Sequence, residues 1–387
     1  MHRKVTCLWK EPGVRSAYRT GVSLHSHTNH SKEGLDFIVK YVARHALLRG
    51  ALAAEERRAV REQSVTVDLR KAYWTPPLTP IAAFELEAHQ IERRLELASM
   101  VSITDHDNIE APMLLRMVPK ARRVPVSVEW TVPFKDATFH LGVHNLPGGG
   151  AEAIMAQLRE FTLHPGERRL TELLEMLHEH RDVLIVLNHP MWDLVGIGPN
   201  RHQRSLRTFL CEKGEYIHAL ELSGIRSWEE NQAVLQLSRA CNQVVISGGD
   251  RHGCEPNAAL NLTNAESFTE FVDDVRRERR SHVLFMPQYA EPYALRVLHT
   301  LLDVIREQPD DSTRSRHWDG RVFHPDRSGV IRPLSDLWQK PPFYIRHFFS
   351  VVRLLEMAPV QRAVQLAVAS PQQQVRFSLS DRQELAQ

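Results

Sequence analysis

Residues 20–30 read Thr-Gly-Val-Ser-Leu-His-Ser-His-Thr-Asn-His, an apolar run followed at once by closely spaced histidines. The run predicts a β-strand, and alternate side chains of a strand point to the same face. We therefore expect His25 and His27 to lie together at the end of this strand. Similar runs elsewhere end in Asp105-His106-Asp107, Glu129, His144, Asn188-His189 and Asp250-Arg251-His252, and the run that ends in His144 carries His140 near its start.

Short apolar runs alternate with helical patterns over the first three quarters of the chain. The predicted strands cover residues 20–24, 100–104, 124–128, 138–143, 183–187, 218–222, 244–247 and 282–285, and helical spacing covers 79–98 and 170–180. Strands separated by helices indicate βαβ units and a mainly parallel sheet. Seven or eight such units predict an α/β fold in which the sheet closes into a barrel with the helices outside.

Two regions depart from this alternation. Residues 35–77 are rich in Ala, Arg and Glu and are predicted to form a helical insertion. After residue 290 the pattern becomes helical, over 295–307 and 343–369, with a polar stretch between. We therefore predict one barrel domain over 1–290, carrying the insertion 35–77, followed by a C-terminal helical extension over 291–387.

The residues at the strand ends indicate a metal site. In a parallel barrel all carboxyl ends of the strands meet at one face, which would gather these imidazoles and carboxylates. Such ligands suit zinc, manganese and iron alike. A buried group of this kind would also need a cation to balance its carboxylates. The sequence therefore predicts a metal centre at one rim of the barrel.

The composition excludes several classes of protein. The 387 residues are 42% hydrophobic and carry a formal net charge of +2, which excludes a disordered chain and argues against binding of long nucleic acid. The longest apolar run, 183–187, is too short to span a bilayer, so we expect no membrane partner. The four cysteines form no CxxC pair, and we expect a cytoplasmic protein.

Together the motifs resemble those of the PHP (polymerase and histidinol phosphatase) superfamily. The matching segments are Leu24-His25-Ser26-His27-Thr28, Thr104-Asp105-His106-Asp107, Val128-Glu129, His140-Leu141-Gly142, Asn188-His189-Pro190 and Gly249-Asp250-Arg251-His252. The resemblance spans residues 24–252 and implies a distorted TIM-like barrel with two or three divalent ions (Zn, Mn or Fe). It implies as ligands His25, His27, Glu33, His106, Glu129, His189, Asp250, His252 and one histidine of the fourth strand, for which His140 is preferred and His144 stays open.

The resemblance also implies a metal-dependent phosphoesterase. We expect a metal-bound hydroxide to attack the phosphorus of a small substrate, either a phosphomonoester or a short nucleotide. Asp107 is the candidate for moving the leaving-group proton, and Arg251 and Arg226 are the candidates for binding the phosphate. The alternatives are a metal-dependent nuclease or exonuclease, hydrolysis of a C–N bond, and a non-catalytic binding module stabilised by metal. The sequence leaves the oligomeric state open.

Overall fold

The computed structural model describes residues 2–35, 71–305, 318–326 and 328–337. Two compact units contain these residues, the first built from 2–31 and 78–297 and the second from the remainder. The predicted helix 343–369 and most of the predicted insertion 35–77 lie outside the described residues. The predicted domain boundary at residues 290 and 291 stays a prediction.

The secondary structure follows an α/β pattern along the chain. The strands are β1 (His2–Cys7), β2 (Thr20–Ser23), β3 (Glu33–Gly34), β4 (Tyr73–Trp74), β5 (Ala98–Val101), β6 (Val128–Phe134), β7 (Ala137–His144), β8 (Leu184–Asn188), β9 (Ala219–Ser223), β10 (Val244–Gly248), β11 (Ala259–Thr263), β12 (Arg280–Phe285), β13 (Val322–Pro325) and β14 (Ile331–Pro333). The helices are α1 (Pro80–Gln90), α2 (Glu110–Leu115), α3 (Ala151–Leu163), α4 (Glu167–Glu179), α5 (Pro199–Lys213), α6 (Trp228–Ala240), α7 (Phe268–Arg276), α8 (Tyr293–Ile305) and α9 (Leu334–Leu337).

The first unit contains two five-stranded sheets, each with parallel and antiparallel neighbours. The first sheet has the order β1-β12-β11-β2-β5, and β11 runs antiparallel to both strands beside it. The second has the order β10-β9-β8-β7-β6, and β7 runs antiparallel to both strands beside it. The other neighbouring strands of these sheets are parallel.

The predicted α/β class is confirmed. The observed strand pairing does not form the closed and mainly parallel sheet that the sequence predicted. Neither five-stranded sheet closes on itself within the described residues. Isolated parallel bridges connect the two sheets, one between Ser26 and Arg251 and one between His106 and Glu129 of β6. Both bridges involve residues predicted for the site, so the sheets meet where the histidines gather.

Sequence signals account for the ends of several elements. Thr79 caps α1 by accepting a hydrogen bond from the Ala82 amide at 3.4 Å, with Pro80 in the first helical position, as predicted. The predicted helix 79–98 ends early, because Glu96 adopts a left-handed conformation with φ 59° and β5 begins at Ala98. Ser227 caps α6 in the same way as Thr79 caps α1.

Four of the predicted strands agree closely with the structure. The predictions at 138–143, 183–187, 218–222 and 244–247 are confirmed within one residue as β7, β8, β9 and β10. The prediction at 124–128 is wrong, because β6 begins only at Val128, and Pro125 has no amide proton to donate to a ladder. Strand β11 was not predicted, since Asn261 interrupts its apolar pattern while accepting a hydrogen bond from the Ser247 amide at 2.8 Å.

The largest apolar cluster packs strands β6, β7 and β8 against helices α3, α4 and α5. Trp130 is fully buried in it, donates from Nε1 to the Leu158 carbonyl at 3.1 Å and packs edge-on against Phe161. This cluster anchors the strand that carries Glu129. The position of that carboxylate is therefore fixed by core packing.

The second unit contains a four-stranded antiparallel sheet with the order β14-β13-β4-β3. Strand β4 closes the predicted insertion, and its Trp74 lies opposite Val322 of β13. Tyr73 of β4 stacks on Phe323 with ring centroids 5.1 Å apart. The end of the predicted insertion and part of the predicted C-terminal extension thus share one sheet.

Two further observations concern the whole described chain. No helix in the described ranges has both the length and the apolar character that a membrane span requires. Cys7, Cys211 and Cys241 are free thiols, and Cys7 is the buried one among these three.

Folding stability is expected to fall in mild acid through His282, which is 3% exposed. Its ring lies 2.6 Å from the Tyr18 hydroxyl and 2.7 Å from Thr6 Oγ1. Burial, with a smaller effect of Lys4, lowers the pKa of His282 to about 4. Between pH 6.5 and 4 the unfolded chain therefore binds a proton that the folded chain excludes, so stability is lost as the pH falls through this window.

The measurement compares wild type with His282→Gln by urea unfolding at pH 7 and pH 4.5. We expect the wild type to lose more stability than the variant over this interval, by about 3 kcal/mol at most. Equal losses in both proteins would show that His282 does not carry this pH dependence.

Candidate metal centre

Five imidazoles surround one carboxylate, Glu129, at the start of β6. Glu129 Oε1 lies 3.1 Å from His25 Nε2, and Glu129 Oε2 lies 3.3 Å from His27 Nε2. The other nitrogens each lie 3.2 Å from a Glu129 oxygen and belong to His106, His140 and His189. The structure therefore brings together six of the predicted ligands although they span more than a hundred residues.

A second carboxylate, Asp250, extends the cluster. Its Oδ1 lies 3.6 Å from Nε2 of both His25 and His27 and 3.5 Å from Nδ1 of His252. The rings of His27 and His252 stack with centroids 4.2 Å apart. Eight of the predicted ligands thus form one continuous group, which we call the histidine cluster: His25, His27, His106, Glu129, His140, His189, Asp250 and His252.

The histidine cluster fits divalent cations. Ligand atoms lie within 4.8 Å of one another in three combinations, namely His25 with His27 and Glu129, His106 with Glu129 and His140, and the rings of His27, His106 and His252. Tetrahedral bonds of about 2.1 Å would place neighbouring ligand atoms about 3.4 Å apart, close to the spacings around Glu129.

Unsatisfied polar atoms support the same fit. Within the described residues, His25 Nε2, His140 Nδ1 and Glu129 Oε2 are buried and make no hydrogen bond. Buried polar atoms without a partner cost free energy, and bound cations would satisfy all three. The cluster therefore has both the donor types and the spacing of a metal centre.

The electrostatics of the cluster follow from its composition. Burial alone would raise the pKa of the Glu129 carboxyl, but the imidazoles of His25, His106 and His140 hold it well below the ordinary value. Asp250 behaves similarly, since burial opposes ionisation while the histidines around it lower its pKa well below the usual range. Both carboxylates are therefore ionised, as metal ligands must be.

The backbone is strained where it presents the ligands. His25, Asp107, His189 and Asp250 have φ values of 63°, 47°, 28° and 51°, a region that residues with a side chain rarely adopt. Such conformations persist only where the surrounding structure enforces them, and they concentrate at functional sites. Each of these residues lies just beyond a predicted strand, so the chain turns sharply as it leaves the sheet.

Glu221 is a site residue that the sequence analysis missed. It is 1% exposed on β9, and its Oε2 accepts a hydrogen bond from His25 Nδ1 at 2.9 Å, which presents Nε2 of that ring to Glu129. A Cβ at residue 248 would lie 2.5 Å from Glu221 Cδ, so Gly248 makes room for this carboxylate. A single Glu within the apolar run Ala219-Leu220-Glu221-Leu222 was the signal that could have revealed it.

Glu221→Gln is expected to weaken metal binding without removing a ligand. The neutral amide cannot replace the carboxylate of Glu221 as the anionic acceptor for His25 Nδ1. Loss of a hydrogen bond that orients a metal ligand lowers metal affinity by about ten- to a hundredfold. Titration of the metal-free protein with Zn²⁺ would measure this change. The matched control is Glu215→Gln, an exposed position, and equal affinities for both variants would contradict a positioning role for Glu221.

Arg251, a predicted phosphate ligand, donates hydrogen bonds from all three guanidinium nitrogens to other groups of the protein. It is 5% exposed and donates from Nε to Glu87 Oε1 at 2.9 Å, from Nη1 to the Gly253 carbonyl at 2.7 Å and from Nη2 to the His27 carbonyl at 3.0 Å. These bonds tie the backbone of the two ligand segments together. The geometry favours a positioning role for Arg251 over contact with a phosphate.

Arg226, the other predicted phosphate ligand, lies beside the cluster. Its Nη2 is 3.3 Å from Asp250 Oδ2, and its guanidinium lies over the Trp192 ring with the carbon 3.7 Å from the ring centroid. Its Nε is buried, makes no hydrogen bond within the described part of the chain and lies 3.9 Å from Glu230 Oε1. Arg226 therefore contacts both a carboxylate of the cluster and an aromatic ring beside it.

Three other predicted residues have different surroundings. Asp107 accepts a hydrogen bond at Oδ1 from the Thr131 amide at 2.9 Å, and burial raises its pKa, while its role in proton transfer stays a prediction. His144 is buried with Nδ1 2.8 Å from Ser102 Oγ, and burial lowers its pKa to about 3. The structure thus places His140, and not His144, beside Glu129. Glu33 belongs to the second unit, and its role as a ligand stays a prediction.

Comparison with known proteins gives likenesses only among solved structures, because no family model and no curated protein matches the chain. A proposed metal-dependent phosphoesterase from Bifidobacterium adolescentis is 16% identical, with 51% of this chain and 91% of that chain covered and a TM-score of 0.32. PsfC from Pseudomonas syringae is 15% identical, with 57% and 88% covered and a TM-score of 0.38. An amidohydrolase from Chromobacterium violaceum, solved with bound sulfate and no metal, is 12% identical, with 60% and 87% covered and a TM-score of 0.35.

Proposed function

We propose that this protein is a metal-dependent phosphoesterase that hydrolyses a small phosphorylated substrate, either a phosphomonoester or a short nucleotide. The observation that carries the proposal is the histidine cluster, in which imidazoles surround Glu129 and Asp250 while Arg226 contacts Asp250 from the side. Cations and a guanidinium in one place match the charge of a phosphate group.

Glu129 is the residue that we propose to be shared between two cations. His25, His140 and His189 lie near its Oε1, whereas His27 and His106 lie near its Oε2. Asp250 and His252 would complete the coordination, and the mixed nitrogen and oxygen ligands suit Zn, Mn or Fe. Divalent cations bound there would polarise the phosphoryl oxygens and lower the pKa of a water molecule that attacks phosphorus.

The protein's own residues would bind and orient the phosphate. Arg226 can donate to a phosphate oxygen while it keeps its contact with Asp250, since a guanidinium carries five N–H groups in a fixed plane. Glu221 keeps the His25 ring in place, and Arg251 fixes the backbone carbonyl of His27. Preorganised charges of this kind need no rearrangement as the reaction proceeds.

The charge of the chain favours a small substrate over long nucleic acid. A net charge of +2 over 387 residues gives the chain no strong overall attraction to a nucleic-acid backbone, on which binding of long nucleic acid depends. The same cluster could also activate water for attack on a C–N bond, and this alternative is distinguished by the products.

A distorted TIM-like barrel is the architecture that we propose for the first unit. Backbone hydrogen bonds beyond the strand ends support it, since the amides of Gly249 and His27 donate to the carbonyls of Leu24 and Arg251, at 3.0 and 2.9 Å. On the other side, the Asp107 amide donates to the Glu129 carbonyl at 2.9 Å. These bonds link the two sheets at both edges near the site.

The test combines metal analysis with a substrate panel. Purified protein is expected to contain divalent metal and to release phosphate from phosphomonoesters or short nucleotides, with activity lost after chelation and restored by Zn²⁺ or Mn²⁺. The panel includes linear and cyclic dinucleotides, single-stranded DNA and amide substrates. Metal-loaded protein that cleaves amides but no phosphate ester would overturn the proposal.

A matched pair of histidine variants separates the site from general effects. His140→Gln removes a side chain of the cluster, whereas His164→Gln changes a histidine that directly follows α3 and is 74% exposed. We expect metal content and hydrolysis to fall in the first variant alone. Equal behaviour of the two variants would contradict the assignment of the site.

A further inference from the structure

An exposed tryptophan lies at the edge of the histidine cluster. Trp192 is 39% exposed and follows the cluster residue His189 by three positions, its amide donating to the His189 carbonyl at 2.9 Å. Val195 on the same loop is 40% exposed. Trp192 therefore offers an exposed aromatic surface beside the polar side chains of the site.

The loop that carries Trp192 is held in place by hydrogen bonds and by packing at both of its ends. The Asp193 carboxylate accepts hydrogen bonds from the amides of Gly196, Ile197 and Gly198 at 2.8, 3.1 and 2.7 Å. Met191 and Ile197 pack against the main apolar cluster on either side of the exposed stretch. The ring is therefore presented by a fixed loop, which reduces the entropy lost when a ligand packs against it.

Arg226 connects this ring to the proposed phosphate position. Its guanidinium stacks on Trp192 at 3.7 Å and contacts Asp250 at 3.3 Å, so a single side chain separates the indole from a proposed metal ligand. A phosphate bound by Arg226 would have its ester substituent next to the indole. Flat aromatic groups are the substituents that gain most from such a surface, because rings stack on one another and exclude water.

We propose that Trp192 is a specificity-determining residue that selects phosphate esters carrying a flat aromatic group, such as a nucleobase. The inference rests on the proposed phosphoesterase function and adds the substrate class to it. Trp192 acts by binding the substituent of the substrate, and the bond cleavage is left to the histidine cluster.

The test uses two phosphonates whose C–P bond the proposed reaction does not cleave, phenylphosphonate and methylphosphonate. Their dissociation constants from the Mn²⁺-loaded protein are measured by calorimetry. We expect the wild type to bind phenylphosphonate about tenfold more tightly, within the range that aromatic stacking supplies. The ratio should fall to near one in Trp192→Ala and be largely kept in Trp192→Phe. Val195→Ala, on the same loop, should keep the wild-type ratio.

Each outcome supports or overturns the inference. A wild-type ratio near one, an unchanged ratio in Trp192→Ala, or no binding of either phosphonate would overturn it. The substrate panel reports on the proposed function separately. If the protein hydrolyses phosphate esters but shows no preference for phenylphosphonate, the proposed phosphoesterase function is supported and the proposed role of Trp192 is contradicted. If the protein prefers phenylphosphonate but hydrolyses no phosphate ester, the proposed phosphoesterase function is contradicted instead.

Discussion

Glu129→Gln is expected to remove most of the bound metal and to lower phosphate release by at least about a hundredfold, because it removes the carboxylate that we propose the cations share. Five imidazoles lie within 3.1–3.3 Å of this carboxylate. A neutral amide of the same shape cannot balance the charge of the proposed cations. Metal content by mass spectrometry and phosphate release on the best substrate of the panel measure the effect.

The control for this variant is Glu160→Gln, which changes an exposed carboxylate that pairs with His164. It is expected to keep wild-type metal content and activity. Circular dichroism establishes that both variants are folded. A folded Glu129→Gln protein with full metal content would show that the cations bind elsewhere.

Arg251→Met is expected to destabilise the fold by about 3–5 kcal/mol, because it leaves a buried carboxylate without its cation. Glu87 is fully buried and accepts hydrogen bonds from Arg251 Nε at 2.9 Å, Ser23 Oγ at 2.9 Å and the Asn257 amide at 3.1 Å. Burial already raises the pKa of Glu87, and Arg251 is the main opposing influence. Urea unfolding of the metal-free protein measures the loss.

The double variant Glu87→Gln/Arg251→Met distinguishes an unpaired charge from lost packing. Since it buries no charge, it is expected to recover part of the stability that Arg251→Met loses. The explanation would be contradicted if the double variant were less stable than Arg251→Met by the full destabilisation that Glu87→Gln causes on its own. That result would indicate that the two residues contribute independently.

The sequence could predict the histidine cluster because its residues stand at the ends of regular apolar runs. His25 and His27 follow β2, His189 follows β8, and Asp250 follows β10. Strand ends near one another in a sheet deliver their side chains to the same region whatever the exact pairing. For that reason the grouping of these residues was predicted better than the strand pairing that brings them together.

The features that were not predicted depend on contacts distant in sequence. Antiparallel pairing of β6 with β7 cannot be read from a run of apolar residues, although it places Glu129 opposite Gly142. The pairing of β4 with β13 joins two-residue and four-residue strands almost 250 positions apart. The positioning role of Arg251 could be recognised only from its contacts with Glu87 and Gly253.

The most direct measurement is anomalous X-ray diffraction from crystals of the protein grown with Zn²⁺ or Mn²⁺. We expect anomalous peaks within bonding distance of Glu129 and the rings of His25 and His140, about 2.0–2.2 Å for zinc. Arg251 should keep its contact with Glu87 and take no part in coordination. Fully loaded crystals whose anomalous peaks all lie outside the histidine cluster would contradict the metal centre and the phosphoesterase built on it.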